Sequence, residues 1–538
     1  MTGPPVPPGG WPLALLLVGV LLFSAADPAP VRGRHPTPAT ATVIGGPYAQ
    51  LLAASTDLGP TRHGTVQLTV TLADRRTPRR LSAWAGAAGL WVRRHPGADW
   101  AVVEGPARSV AAAFGVDVHD YRGRRGRVFY ASPQQPGVPV PLRGEVTAVG
   151  RILGYVPHRM SRPWFLPLDI PDRGLSPAAL LRTYNAESLA RQGFTGKGQT
   201  IVVFAFDGFD QADLDAFTAL HGLPPLRPVV VGGQADEPRG ETTMDLEVAH
   251  AIAPDATKVV VNARTTVEGD GAFEKIGRML ADTDRRFPGA VWSFSIGWGC
   301  DRLVTAADLA PVRSALAAAQ DRGTTTFDAS GDLAGLECKG GDDWSAPPGP
   351  ADVGLDSVAS LPEMTDVGGT TLSTDAAGRW LAETAWFDVP LSQGTGGGVS
   401  ALFERPHWQR DMAPGRAPDR RLTPDVSAVA DPLTGVRIVY AGRQLVGGGT
   451  SQSAPIWAGL TAVMNEFLLA NGGRRIGALN PLLYRIAAGA PLPAFRDVVL
   501  GGNAVETAGP GYDLVTGLGT PDVEHLARNI LLLQRAGT

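Results

Sequence analysis

The chain of 538 residues is long enough for two or three domains and a large buried core. Charged residues make up 19%, which excludes a charge-rich disordered chain and argues against a nucleic-acid-binding protein. The net charge of −4 is unevenly distributed. Residues 75–159 contain 14 arginines, no lysine and 5 carboxylates, a formal +9, so the rest of the chain carries −13. Two separately solvated surfaces would account for this, and so would a basic region that rests on an acidic domain.

An apolar run at residues 11–26 is the only stretch of the chain that suggests a membrane signal. Its length is typical of the apolar region of a signal peptide and is short for a membrane span. Small residues at 24–26 are typical of a cleavage site, but no Lys or Arg precedes the run. We therefore predict a signal peptide at residues 1–26 and a secreted protein, with an uncleaved membrane anchor as the alternative.

The chain has two cysteines, Cys300 and Cys338. In an exported protein such a pair is more often a disulfide than a metal site, because two thiols are an incomplete zinc ligand set.

The first half of the chain predicts a flexible lead followed by a small α+β domain. Residues 27–60 are rich in Pro, Ala and Thr and predict the lead. Residues 66–72 alternate apolar and polar side chains like a half-buried strand, and residues 109–114 and 128–130 are typical of a helix and a strand. These elements predict a domain at residues 61–160. The proline-bearing stretch at 157–171 then indicates a linker, to which we assign residues 161–174.

The composition changes after residue 175. Short apolar or β-branched runs occur at residues 201–206, 258–261, 290–296 and 324–327, with helical segments between several of them. This pattern predicts a parallel sheet with helices on both faces in a domain at residues 175–538. In such sheets, functional sites collect beyond the carboxyl ends of the strands.

A glycine-rich stretch at residues 447–455 has the composition of a nucleophile site. Glycines precede Thr450 and Ser451, and Pro455 opens an apolar run, so we predict that Ser451 lies on a tight loop at a helix N-terminus. Unpaired N–H groups and the helix dipole favour negative charge there, which suits a serine whose reaction passes through an oxyanion. An ordinary glycine-rich loop is the alternative.

A serine nucleophile needs a base, and the candidates for this role in the sequence include carboxylates. Met244, Val248 and Ile252 recur every four residues, which predicts a helix with Glu241 and Asp245 together on one face. Such a pair can share a proton, although a solvated acidic face is the alternative. Asp332 follows the strand-like run at residues 324–327, where either a turn-capping aspartate or a strand-end site is expected.

In their order along the chain, these motifs resemble the sedolisin family of serine-carboxyl peptidases. The family's Glu-x-x-x-Asp helix matches Glu241 and Asp245, its Gly-Asp loop matches Gly331-Asp332, and its Gly-Thr-Ser-x-Ser-x-Pro motif matches residues 449–455. Residues 295–299, 367–371, 383–386 and 396–400 also look like the family. The resemblance covers roughly residues 64–525 and includes a region similar to the family's activation domain. It departs at Leu333-Ala334, where many relatives carry Ser or Gln after the aspartate.

The resemblance implies a subtilisin-like α/β catalytic domain, preceded by the α+β prodomain. It implies that Ser451 is the nucleophile, Glu241 the general base, Asp245 the residue that orients Glu241, and Asp332 the donor to the oxyanion. A carboxyl group donates a hydrogen bond only when protonated, so the resemblance also implies an acid-acting peptidase. Its expected partners are protein or peptide substrates and its own propeptide, with no nucleic acid, and we predict a monomer.

The resemblance further implies one Ca²⁺ per chain near the C-terminus. The matching ligands are the side chains of Asp497 and Asp513 and the carbonyls of Val498, Gly509 and Gly511. Carboxylate and carbonyl oxygens are what this hard cation prefers. Without the resemblance, these residues would be interpreted as a glycine-rich loop.

Two other functions remain as alternatives. A subtilisin-like peptidase would need a histidine base, for which His250 is best placed, and an upstream aspartate, for which Asp207 follows a strand. His63 lies in the predicted prodomain. The second alternative is an inactive binding or structural relative that keeps the fold.

Overall fold

The structure, a computed structural model, describes residues 41–155, 158–160, 166–167, 174–339, 348–389, 393–412 and 418–536. The apolar run at residues 11–26, and with it the predicted signal peptide, lies outside the described residues. So does most of the predicted linker. Among the helices in these described ranges, none is both long and apolar enough to cross a bilayer.

The N-terminal region is an antiparallel α+β domain. Residues 66–72 form a strand whose alternate side chains, including Leu68 and Val70, are buried, because successive strand side chains point to opposite faces. The predicted helix at 109–114 and strand at 128–130 are also confirmed, each with slightly wider bounds. A four-stranded sheet has the order Trp91–Arg94, Trp100–Gly105, Val66–Leu72, Val146–Val149, and a three-stranded sheet has the order Thr56–Pro60, His119–Arg122, Val128–Ala131. The helices are Pro47–Ala53, Arg79–Ala87 and Ala107–Phe114, and Thr42–Val43 pairs with Gln134–Gln135.

The prediction of a flexible lead at residues 27–60 is wrong for its described part. Residues 41–60 contain two strands and a helix, and Tyr48 and Leu51 on that helix are almost fully buried. The Tyr48 hydroxyl donates to the carbonyl of Ser132 at 2.8 Å. Burial of these apolar side chains against the α+β domain outweighs the local composition that favours a flexible chain.

The C-terminal region is built on an eight-stranded, mostly parallel sheet. The four predicted strands all form, with bounds that shift by one or two residues. The strand order is Val229–Val231, Thr257–Asn262, Thr200–Ala205, Val291–Phe294, Thr325–Ala329, Thr365–Thr374 and Trp380–Ala385, with Val426–Val429 paired to Thr365–Thr374 and only Trp380–Ala385 antiparallel.

Helices cover both faces of this sheet, as predicted. Ile201 packs into one apolar cluster and Val202 and Phe204 into another, because neighbouring strand residues point to opposite faces. Helices Glu241–Ile252 and Thr450–Ala470 pack into the first cluster, and Ala272–Arg286 and Ala310–Asp321 into the second. The remaining helices of this domain are Pro177–Thr183, Glu187–Arg191, Gln211–His221, Asn480–Gly489 and Val523–Ala536.

The two domains contact each other through a shared apolar cluster, through ionic groups and through the chain that joins them. Arg93 and His95 of the N-terminal domain both reach Glu274, which is 4% exposed. Further along, Arg159–Met160 pairs with Ile296–Gly297, and Leu166–Pro167 pairs with Arg443–Val446, both antiparallel. The connecting chain is therefore attached to the C-terminal domain at two separate strand ends.

Candidate active site

The helix Glu241–Ile252, here the acidic helix, carries both carboxylates of the predicted pair. Glu241 is its first residue, and Asp245 lies one turn further on. Every residue of this helix is buried, so the alternative of a solvated acidic face is wrong. The apolar stripe at Met244, Val248 and Ile252 is real, but the helix is covered on its other sides as well.

The helix Thr450–Ala470, here the serine helix, begins one residue before Ser451. Ser451 therefore lies at a helix N-terminus, as predicted, but in the first helical turn and not on a loop, and Pro455 lies inside the helix. Proline has no N–H, so it cannot donate to the carbonyl four residues earlier, which is that of Ser451. The Ser295 hydroxyl lies 3.1 Å from this carbonyl oxygen instead. Part of the helix hydrogen bonding at Ser451 is thus replaced by a side chain from the sheet.

Asp332 faces the start of the serine helix. Its Oδ1 accepts hydrogen bonds from the N–H and the hydroxyl of Thr450, at 2.7 and 2.8 Å. Gly449 leaves a gap beside the other oxygen: a methyl group on Gly449 would lie 2.9 Å from Asp332 Oδ2 and 3.2 Å from Ser451 Oγ. These two oxygens therefore border the same space, which a side chain at position 449 would fill.

Strong electrostatic coupling links the buried carboxyl groups. Burial raises the pKa of Glu241 well above its usual range, and negative charge on Asp245, Asp207 and Asp332 raises it further. The Ser451 hydroxyl acts in the opposite direction. Among the described residues, neither Glu241 oxygen nor Ser451 Oγ forms a hydrogen bond of good geometry. Such contacts often tighten only when substrate binds.

Ser295 connects the carboxyl pair to the serine. Its hydroxyl lies 2.9 Å from Asp245 Oδ1 and 3.1 Å from the carbonyl oxygen of Ser451, and one hydrogen cannot serve both. Burial raises the pKa of Asp245 well above its usual range, so a protonated Asp245 can donate to Ser295 while Ser295 donates to Ser451. In this arrangement the shared proton lies on Asp245. Sequence reasoning did not single out Ser295, because this contact joins residues 50 and 156 positions apart.

The histidines occupy other places. The Nε2 of His250 lies 2.8 Å from the carbonyl oxygen of Pro224, and burial lowers the pKa of His250 to about 4. His63 pairs with Asp120 inside the N-terminal domain. Asp207 accepts hydrogen bonds from the start of the acidic helix. No histidine of the described residues makes a recorded contact with Ser451.

The two cysteines form a disulfide, as expected. Cys300 follows the strand Ile296–Gly297, and Cys338 ends the loop that begins at Gly331 and Asp332. The loop carries a second attachment, since Leu333 N donates to Glu337 Oε1 at 2.7 Å. The disulfide therefore ties the segment after Ile296–Gly297 to the loop that carries Asp332.

The predicted calcium ligands are close together at the C-terminus. The N–H of Gly511 donates to Asp497 at 2.8 Å, and the N–H of Gly509 donates to Asp513 at 3.0 Å. Over residues 497–513, all of them described, the carbonyl oxygens of Val498, Gly509 and Gly511 accept no recorded hydrogen bond. Two carboxylates and three free carbonyls on one short loop fit a hard, oxygen-preferring cation.

Comparison with known proteins supports a relationship along most of the chain. Residues 71–153 match the family model "Pro-kumamolisin, activation domain". The chain is 32% identical to kumamolisin of Bacillus sp. (strain MN-32) over 471 residues, covering 81% of this chain and 80% of that protein. It is 28% identical to sedolisin of Pseudomonas sp. (strain 101) over 464 residues, covering 79% of this chain and 74% of that protein.

A solved structure extends the likeness to three dimensions. The chain is similar to Pseudomonas sedolisin, a serine-carboxyl proteinase complexed with two molecules of pseudo-iodotyrostatin, with a TM-score of 0.56 and 26% identity. The likeness covers 66% of this chain and 98% of that one. The predicted fold class, an α/β catalytic domain after a small α+β domain, is thereby confirmed.

Proposed function

Because this chain belongs to the sedolisin family and is a serine-type peptidase, we propose that it hydrolyses peptide bonds in acid with Ser451, Glu241, Asp245 and Asp332 as its catalytic machinery. The observation that carries the proposal is the space beside Gly449, which Ser451 Oγ and Asp332 Oδ2 both border. A reacting carbonyl group there would meet a nucleophile and an oxyanion donor at once.

The reaction begins with attack of Ser451 Oγ on the scissile carbonyl carbon, while Glu241 takes the hydroxyl proton. The carbonyl oxygen becomes an oxyanion and receives a hydrogen bond from protonated Asp332. Because Thr450 donates twice to Oδ1, the proton belongs on Oδ2, which faces the gap. Glu241 then gives its proton to the leaving amine, and a water molecule repeats the sequence on the acyl-enzyme.

Acid dependence follows from the donor. Asp332 can stabilise the oxyanion only in its protonated form, so activity should fall as the pH rises. Activity should also fall at the lowest pH, where Glu241 is protonated and cannot act as a base.

The test is a pH profile of purified, acid-treated protein on a denatured protein substrate, with product masses. Masses that differ by whole tripeptides would indicate stepwise release from an end, and internal fragments would indicate an endopeptidase. Turnover that is absent at every pH, with peptide still bound, would support an inactive binding relative.

We also propose that the protein is made as a zymogen. Residues 159–160 pair beside Ser295, and residues 166–167 pair just before the glycines that lead into Ser451. Both attachments lie on strand ends that lead to residues of the proposed site. The ionic contacts of Arg93 and His95 with Glu274 help to hold the N-terminal domain on the C-terminal domain.

Acid treatment should cut the chain in the linker between Pro157 and Leu175. Incubation of the purified zymogen across a pH series, followed by N-terminal sequencing of the product, locates the cut. The Ser451→Ala variant should remain full-length under the same conditions. Processing of this variant at the wild-type rate would rule out self-cleavage.

We propose that Asp497, Asp513 and the carbonyls of Val498, Gly509 and Gly511 hold one Ca²⁺. The ion would supply positive charge that neutralises two carboxylates and ties the ends of the loop together. Asp513 is 6% exposed, and burial raises its pKa, so its ionised form needs such compensation.

Removal of calcium should lower the stability of the protein. With free Ca²⁺ at a hundred times its Kd, the loss on chelation is about 3 kcal/mol. Elemental analysis should find one Ca²⁺ per chain, and Asp513→Asn should lose the ion and melt earlier. Asp375→Asn, which changes a partly exposed aspartate in another loop, is the control. An unchanged melting temperature after chelation would count against the site.

Secretion remains part of the proposal. It rests on the apolar run at residues 11–26 and on the disulfide, which persists in oxidising compartments. Sequencing the N-terminus of the exported protein would distinguish a cleaved signal from an uncleaved anchor.

A further inference from the structure

Asp207 is a buried carboxylate next to the acidic helix that the proposed reaction does not use. It follows the strand Thr200–Ala205 at the carboxyl end of the sheet and is 2% exposed. Its Oδ1 accepts from the N–H and the hydroxyl of Thr242, at 3.1 and 2.6 Å, and its Oδ2 accepts from the N–H of Arg239 at 2.8 Å. Asp207 therefore binds the residues on both sides of Glu241.

The acidic helix has no capping side chain of its own. Its N-cap residue is Gly240, with φ of 102°, a conformation that glycine adopts readily and that leaves no side chain to accept the first N–H groups. A helix start prefers an acceptor with negative charge, because of its free N–H groups and its dipole. Asp207 supplies that acceptor from a neighbouring strand, and Glu241 is the first residue of the turn it binds.

Asp207 also contributes charge to the carboxyl pair. Burial is the largest cause that raises the pKa of Glu241 and of Asp245, and the negative charge of Asp207 raises both further. On its other side, Asp207 faces Tyr440, whose phenol pKa is raised by burial and then by the charge of Asp207.

Other charged groups nearby have different partners. The guanidinium groups of Arg239 and Arg264 pair with Asp236, and Asp332 acts on Glu241 from the opposite wall of the cleft. No ion pair to Asp207 is recorded within the described part of the chain. Burial raises the pKa of Asp207 itself, and the hydrogen bonds from Thr242 and Arg239 act in the opposite direction, so the helix start favours its ionised form.

We propose that Asp207 is a positioning residue for the reaction: it caps the acidic helix in place of Gly240, holds Glu241 in its orientation, and sets the electrostatic field in which Glu241 and Asp245 share their proton. This inference rests on the proposed function, because it assigns Asp207 a role through Glu241. It gives Asp207 a role different from that of an aspartate that orients a histidine base.

The variant Asp207→Asn tests this role through the pH dependence of kcat/KM. Asparagine keeps an oxygen for Thr242 and removes the charge, so Glu241 should lose its proton more easily. The acid limb of the profile, which reports the base in the free enzyme, should move to lower pH by about one unit. The limb at higher pH should stay in place.

Asp213→Asn is the matched control. Asp213 is also buried and accepts from two backbone N–H groups, those of Ala441 and Gly442, both at 2.8 Å. Its charge is not among the recorded causes of the pKa shifts of the carboxyl pair. A purely structural role would move neither acid limb. An unmoved limb in Asp207→Asn, or an equal shift in Asp213→Asn, would overturn the proposal.

Two further variants keep the test decisive. If Asp207→Asn does not fold, Thr242→Val removes the 2.6 Å hydroxyl donor, so that Asp207 takes up a proton more readily. The acid limb should then move in the same direction by less, and an unmoved limb overturns the proposal.

Glu241→Gln in the same series tests the proposed function itself. If this variant is fully active, the base is assigned wrongly, whatever Asp207 does.

Discussion

Replacement of Glu241 by glutamine should lower kcat by about 10²–10⁴-fold, because the variant keeps the shape of the side chain and loses the base. Ser451→Ala should remove turnover by the acyl-enzyme route altogether. Asp332→Ala should cost about 10²–10³-fold, the usual effect of deleting one oxyanion donor. All three variants should keep the fold, and thermal melting checks this. Activity is measured on the same denatured substrate at the acid optimum.

The variant Asp332→Asn tests hydrogen-bond donation at position 332 separately from the protonation of a carboxyl group. The amide oxygen of the variant can accept both hydrogen bonds from Thr450, and its NH₂ group then faces the gap beside Gly449. An amide donates at every pH, so this variant should be more active than Asp332→Ala and should lose the decline towards neutral pH.

A histidine base would give a different pattern of losses. Full activity of Glu241→Gln, together with loss in a folded His250→Ala, would assign the reaction to a subtilisin-like mechanism.

Neutral pH should destabilise the folded protein strongly. Burial raises the pKa of Asp356 to about 7 and that of Asp301 to about 6, from an ordinary value of 3.8. Their folded forms hold protons more tightly than the unfolded chain does, so their contribution is complete below about pH 4 and is lost as the pH rises towards 6 and 7. The loss is about 4 kcal/mol for Asp356 and about 3 kcal/mol for Asp301.

Asp328 and Asp366 act in the same direction. Burial raises the pKa of each well above its usual range, and each lies near the negative charge of Asp356. Among the described residues, no hydrogen bond of good geometry reaches either oxygen of Asp328. Asp328→Asn therefore removes a titrating group without removing such a bond.

Melting of the Ser451→Ala protein at about pH 4 and about pH 7.5 measures the effect without self-digestion. The melting temperature should be clearly higher in acid, and Asp328→Asn should reduce the difference. Asp375→Asn is the control, since Asp375 pairs with Arg379 and hydrogen bonding to the backbone lowers its pKa. A protein equally stable at both pH values would contradict the prediction.

Local patterns predicted most elements of the fold. The alternation at residues 66–72 and the β-branched runs of the parallel sheet both report how a strand is buried, and the structure has strands at these places. Composition was a poor guide at residues 41–60, where Tyr48 and Leu51 pack into the core. The full burial of the acidic helix was also not predicted, because a stripe of apolar residues does not show what covers the other faces.

The site depends on contacts that local patterns do not contain. Glu241 and Ser451 were recognisable from their motifs, but the link through Ser295 joins three separate elements. Asp207 was noted only as a possible partner of a histidine, because nothing in the strand before it shows that it caps a helix 35 residues later. The proline was assigned to the first turn because prolines favour that position, whereas here its missing N–H frees a carbonyl for Ser295.

For the proposed self-cleavage, the attachment of the connecting chain at residues 159–160 and 166–167 predicts a first cut within one molecule. A peptide tethered on both sides of a nucleophile is present at an effective concentration that the fold sets, in the millimolar range or above. Other zymogen molecules in dilute solution cannot compete with it. The half-time of the first cut should therefore be independent of protein concentration, and a single molecule could mature without meeting a second one.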